Sequence, residues 1–156
     1  MGNMTSRATY VGVIGAGQCS EDMEALAEEV GREIAAAGVV LICGGLGGVM
    51  TAAARGAKKG GGTTIGILPG AGIDSANEYI DFPVASNMGQ ARNAIIAHTS
   101  SVLISIGGGY GTLSEIAMAL KIGKSVVSLV PSFDIPGIHT AKSPALAVSL
   151  ALTLIS

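Results

Sequence analysis

The residues best suited to chemistry in this chain gather at three glycine-rich turns. Gly15-Ala-Gly-Gln-Cys-Ser20, Cys43-Gly-Gly-Leu-Gly-Gly48 and Gly107-Gly-Gly-Tyr-Gly111 each follow an apolar run and precede a segment of helical periodicity. A glycine turn that opens a helix presents backbone N–H groups and the positive end of the helix dipole, which suits a phosphate. One such turn can serve packing alone. Three of them on one sheet edge predict a binding site, with Gly15, Gly17, Gly44, Gly45, Gly48, Gly108, Gly109, Tyr110 and Gly111 as candidate ligand contacts.

Three side chains join them. Thr112 sits at an expected helix start, where it can cap the helix or bond a phosphate oxygen. Glu115, one turn on, can close a capping box with Thr112 or do chemistry. Arg92 stands in a segment of otherwise apolar or small residues. Such an arginine can face solvent or pair with a carboxylate, or clamp a phosphate through two parallel N–H donors.

The elements that position these groups follow from periodicity. Tyr10–Ile14, Val39–Ile42, Thr63–Leu68, Tyr79–Val84, Ser101–Ile106 and Ser125–Val130 read as strands. Most are apolar at nearly every residue, as strands buried on both faces are. Helices are expected over Glu21–Ala37, Val49–Lys59, Met88–His98, Thr112–Ile122 and Ser143–Ile155, with loops over Pro69–Glu78 and Pro131–Lys142. Ser20 caps the first helix and Gly38 ends it. The alternation predicts an α/β, Rossmann-like three-layer sandwich with a mostly parallel sheet and helices on both faces, one domain over 9–156 behind a polar leader at 1–8. In such sheets the strand-to-helix turns share the carboxyl edge, where ligands bind.

Familiar phosphate motifs do not fit. The first turn lacks the third glycine of the dinucleotide fingerprint, and the second strand ends in Cys43-Gly44 rather than an acidic residue. Gly123-Lys124-Ser125 resembles the end of a P-loop, but Met118 stands where its first glycine belongs, and a strand follows instead of a helix.

Composition narrows the class further. The 156 residues are 49% apolar and 13% charged, with net charge −2 and only 3% aromatic. That balance disfavours nucleic acid, which calls for a basic footprint. It favours self-association, because large apolar patches rarely stay exposed. Cys19 and Cys43 make no disulfide framework, no stretch is long and apolar enough for a bilayer, and a cytoplasmic location with no protein-bound metal is expected.

Gly107-Gly-Gly-Tyr-Gly-Thr-Leu-Ser-Glu115 is similar to the Pro-Gly-Gly-x-Gly-Thr-x-x-Glu signature of the Lonely Guy family, which contains cytokinin riboside monophosphate phosphoribohydrolases and proteins misnamed lysine decarboxylases. Gly44-Gly-Leu-Gly-Gly-Val-Met50 and Gly66-Ile-Leu-Pro69 look like its other two blocks, which adds Met50 to the candidate contacts, and Arg92 matches its site arginine. The resemblance spans roughly Tyr10 to Val130. Gly107 replaces the signature's proline, Asn93 the lysine that usually follows the arginine, and Ser114 the first glutamate of the usual pair. The Gly-Thr-Leu-Ser-Glu-Ile-Ala run resembles more closely the branch of molybdenum cofactor carrier proteins, which form homodimers or tetramers. That resemblance implies binding of a phosphorylated pterin, the molybdenum cofactor (molybdopterin), as cargo. The alternative is a phosphoribohydrolase that releases free base from a nucleoside 5′-monophosphate, with Arg92 and Glu115 as its catalytic pair. A lysine decarboxylase is excluded, since no Ser-x-His-Lys anchor for pyridoxal exists.

Overall fold

Short apolar runs bounded by glycine form the strands, and the periodic segments between them form the helices. The computed structural model describes residues 6–155. Strands β1 (Tyr10–Gly15), β2 (Val40–Cys43), β3 (Thr64–Leu68), β4 (Phe82–Ala85), β5 (Val102–Ile106), β6 (Val126–Leu129) and β7 (His139–Thr140) are interleaved with helices α1 (Glu21–Ala36), α2 (Val49–Lys59), α3 (Asn93–Thr99), α4 (Tyr110–Lys121) and α5 (Pro144–Thr153). Among the described residues the strands make one sheet in the order β4-β3-β2-β1-β5-β6-β7, and every neighbouring pair is parallel.

Alternate residues of the central strands β1, β2, β5 and β6 feed two cores. Val11 and Val13 of β1 face a cluster built with Ala27, Val30 and Ile34 of α1, Ala53 and Ala57 of α2, and Ala147 and Ala151 of α5. Ile14 and Leu103 face the opposite cluster with Ile96 of α3 and Ile116 of α4. The Rossmann-like three-layer sandwich is therefore as the sequence predicts. Strand order reverses between β1 and β5, so a crevice opens there at the carboxyl edge.

The seam between α1 and α2 is unusually close. A Cβ added to Gly31 would lie 1.9 Å from the Ala53 carbonyl, and one on Gly56 would lie 1.8 Å from that of Glu28. Glu28 locks the same seam, accepting from Lys59 at 2.6 Å and Arg55 at 2.7 Å. These two hydrogen bonds, Lys59's first, hold its carboxyl down at about 2. Ser20 caps α1 by accepting from the Met23 amide, and Gly38 follows with φ 73°.

Several expectations are corrected. The helix expected over Met88–His98 is a 3₁₀ turn, Gly89–Arg92, running into α3. Helix α4 begins at Tyr110 instead of Thr112, because Gly109 takes the capping position and makes no side-chain bond there. Thr112 is thus inside the first turn and does not cap. The loop expected over Pro131–Lys142 contains β7, a two-residue strand too short to leave a periodic signal. Of the polar leader expected at 1–8, residues 1–5 lie outside the described residues. None of the helices described is long and apolar enough to cross a membrane.

Candidate functional site

The crevice between β1 and β5 holds a cavity of about 230 Å³. Its walls include Gly15, Gly17, Gly44, Met50, Arg92, Gly109, Gly111, Thr112 and Glu115, so the three turns and the three singled-out side chains do converge. Gly45, Gly48, Gly108 and Tyr110 do not reach the wall. Val13, Ile14, Ala16, Leu46, Gln90 and Asn93 line it as well, and the sequence reading did not number them among the contacts.

The turns differ in what their amides do. In the third, Gly107 donates to the carbonyls of Leu129 and Val130, at 3.3 and 3.1 Å. Beyond it, among the described residues, the amides from Gly108 to Thr112 find no acceptor within the chain. These include the first N–H groups of α4, which have no intrahelical partner and carry the positive end of its dipole. Gly108 is required for this shape. Its φ is 109°, and a Cβ there would lie 2.3 Å from Thr112 Oγ1.

The first turn is similarly open, since the amides of Ala16 and Gly17 also lack acceptors among the described residues. The second turn is spent at Gly45 and at the start of α2, while the amides of Leu46, Gly47 and Gly48 find no acceptor among the described residues. Val49 N donates to the Ala16 carbonyl at 2.9 Å, Met50 N to that of Gly47, and Gly45 N to Cys43 Sγ at 3.4 Å. Gly48 packs its backbone on the first turn, 2.3 Å from the Ala16 carbonyl to an added Cβ, and Gly45 packs on Leu68 of β3. These glycines permit close approach and leave the helix dipole of α2 facing a carbonyl rather than the cavity.

Arg92 is buried, 6% exposed. It closes the 3₁₀ turn and reaches under the second turn, and among the described residues it neither lies on a solvated face nor pairs with a carboxylate. Its Nε donates to the Ile67 carbonyl at 2.8 Å, Nη2 to that of Gly44 at 3.5 Å, and Nη1 to Asn93 Oδ1. A guanidinium has five N–H donors, so one remains on each terminal nitrogen. Gly44 makes room for this, because a Cβ would stand 2.8 Å from both Arg92 Nη2 and Met50 Sδ.

Glu115 faces the same space. Among the described residues its carboxyl has no hydrogen-bond partner, and the capping box with Thr112 is not made. Burial raises its pKa to about 8, with the Arg92 charge opposing the shift. At neutral pH the group is therefore mostly an uncharged acid, able to donate a hydrogen bond beside an anion it would otherwise repel. Cys43, wholly buried under the second turn, is pushed up to about 12 by desolvation and stays a thiol. Cys19 and Cys43 are both free.

Fold, turn arrangement and signature together agree with comparison to known proteins. The sequence profile of the SLOG cluster4 family matches residues 8–150. The chain belongs to the SLOG cluster4 family. It is 52% identical over 143 residues to an uncharacterized protein of Archaeoglobus fulgidus, covering 92% of this chain and 94% of that one. The molybdenum cofactor binding protein of Rippkaea orientalis superposes with a TM-score of 0.91 at 35% identity, over 97% of this chain and 100% of its own. The molybdenum cofactor carrier protein of Chlamydomonas reinhardtii gives 0.85 at 38%, over 95% and 98%.

Proposed function

We propose that this SLOG cluster4 protein binds the phosphorylated pterin of the molybdenum cofactor and carries it intact. The observation that carries the reading is one cavity that combines the two unspent donors of Arg92 with the open amides of the first and third turns. The likeness to the Rippkaea and Chlamydomonas proteins, over nearly the whole of each chain, supports the pterin over other phosphate esters. The phosphate lies between Arg92 and the first turn of α4, with the Thr112 hydroxyl and protonated Glu115 as further donors. Ile14, Leu46 and Met50 give the adjoining ring an apolar wall. Such a site holds its cargo by charge-assisted hydrogen bonds and releases it without bond cleavage. In this reading the chain works as a homodimer or homotetramer, with exposed apolar residues such as Phe82, Val84 and Leu146 in the contact; light scattering measures this directly.

Titration with 6-hydroxymethylpterin phosphate, followed by pterin fluorescence, tests the binding claim. The phosphorylated ligand binds at least about tenfold more tightly than 6-hydroxymethylpterin, a difference near 1.4 kcal/mol, and Arg92→Ala removes the difference. Equal affinities for the two ligands in the native protein contradict it.

The unpartnered carboxyl of Glu115 favours a second reading, hydrolysis of a nucleoside 5′-monophosphate. There the protonated carboxyl would donate to the departing base, or its ionised form would stabilise an oxocarbenium-like transition state. Free adenine released from AMP, and lost in Glu115→Gln, would establish this reading over simple carriage.

A further inference from the structure

A directional hydrogen-bond relay joins the two walls of the cavity. Arg92 Nη1 donates to Asn93 Oδ1. With its oxygen committed, the Asn93 amide turns its nitrogen the other way, and Nδ2 donates to Ser114 Oγ at 3.2 Å. The Ser114 hydroxyl then gives its own proton to the Gly111 carbonyl at 2.6 Å. Each donor points the same way, from the guanidinium to the first turn of α4. Asn93 is 1% exposed, so both ends of its amide need partners, and this relay supplies them.

Part of this could be local. A serine bonding the carbonyl three residues earlier is a common helix habit. That habit does not explain why the same oxygen also accepts from a buried amide on another helix, whose oxygen in turn orients the arginine. The relay starts at the only cationic side chain lining the cavity and ends at a glycine on its opposite wall.

We infer that Asn93 and Ser114 are positioning residues for anion binding, which set the spacing between the two free donors of Arg92 and the open amides of α4. A phosphate then meets both sets at once, without a preceding adjustment of either wall. This inference rests on the phosphate-site reading above.

Ser114 is exposed, so Ser114→Ala leaves the fold intact and isolates the relay. With 6-hydroxymethylpterin phosphate as probe, Ser114→Ala lowers affinity about tenfold, whereas affinity for 6-hydroxymethylpterin is unchanged. Ser114→Thr, which keeps the hydroxyl, restores native binding. In an Arg92→Ala background, Ser114→Ala has no further effect, as members of one linked unit behave. If Ser114→Ala keeps full discrimination for the phosphate while Arg92→Ala loses it, the relay is overturned and the site stands. An equal loss for both ligands shows a merely structural role and also overturns it. Failure of the native protein to discriminate removes the site and the relay together.

Discussion

The second and third glycine turns carry nearly the same sequence signal but differ where each hands over to its helix. Both join a buried parallel strand to a helix through four glycines, counting Gly44, Gly45, Gly47 and Gly48 in one and Gly107, Gly108, Gly109 and Gly111 in the other. In the second, the first two amides of α2, Val49 and Met50, are satisfied by the Ala16 and Gly47 carbonyls, although Leu46, Gly47 and Gly48 before them have no acceptor among the described residues. In the third, five successive amides have no acceptor within the chain among the described residues. Glycine therefore marks a place where backbone comes close to something, and only the hydrogen-bond ledger says whether that partner is the protein itself or a ligand.

The largest effect is expected on the packed side of that contrast. Gly48→Ala places a Cβ 2.3 Å from the Ala16 carbonyl at a φ of 62°, which adds a steric clash to an unfavourable backbone conformation. A loss of about 3 kcal/mol or more in urea-induced unfolding is expected. A loss below 1 kcal/mol would mean that the two turns are not as closely locked as described.

A pH-dependent effect, smaller than the Gly48 loss over any single pH unit, is expected from Glu115. Its folded pKa, about 8, lies above the ordinary 4.5, so between these values the folded chain holds a proton that the unfolded chain has released. Stability is then greatest below about pH 4.5 as far as this group is concerned. It falls as pH rises toward 8, by up to ~1.4 kcal/mol per pH unit. Glu115→Gln should flatten that slope between pH 5 and 8 in thermal or urea unfolding. An identical slope in the variant would contradict the buried, unpartnered placement.

The smallest stability effect belongs to the open turn. A Cβ on Gly109 would meet nothing within 4 Å, at an ordinary negative φ. Gly109→Ala should therefore change stability by less than about 0.5 kcal/mol, yet weaken binding of a phosphorylated pterin about tenfold by crowding the cavity. Full affinity in this variant would separate the turn from the site.

Much of this was legible beforehand because it depends on pattern. Uninterrupted apolar strands imply a sheet buried on both faces, and glycine clusters after them imply turns at one edge. The reach of Arg92 was not legible, since an isolated arginine in an apolar segment reads equally well as solvated, and only the Gly44 and Ile67 carbonyls pull it inward. The spent amides at the start of α2 escaped notice for the same reason: no residue type records where an N–H points. Ala16, Leu46 and Gln90 carry no chemical signal of their own. Asn93 did carry one, as a polar residue standing where the resembling hydrolases have lysine, and its burial gives that signal meaning. Thr112 was placed one helical step wrong because Gly109, with no side-chain bond to offer, opens α4 nevertheless.

The division between the open start of α4 and the spent start of α2 can be read directly from backbone amides by ¹H–¹⁵N NMR as inorganic phosphate is added. The resonances of Gly17, Gly109, Gly111 and Thr112 should shift together along one saturating curve, while Val49, whose N–H is held by Ala16, should stay in place. Movement of Val49 and Met50 with a still third turn, or no saturable movement at all, would contradict the account.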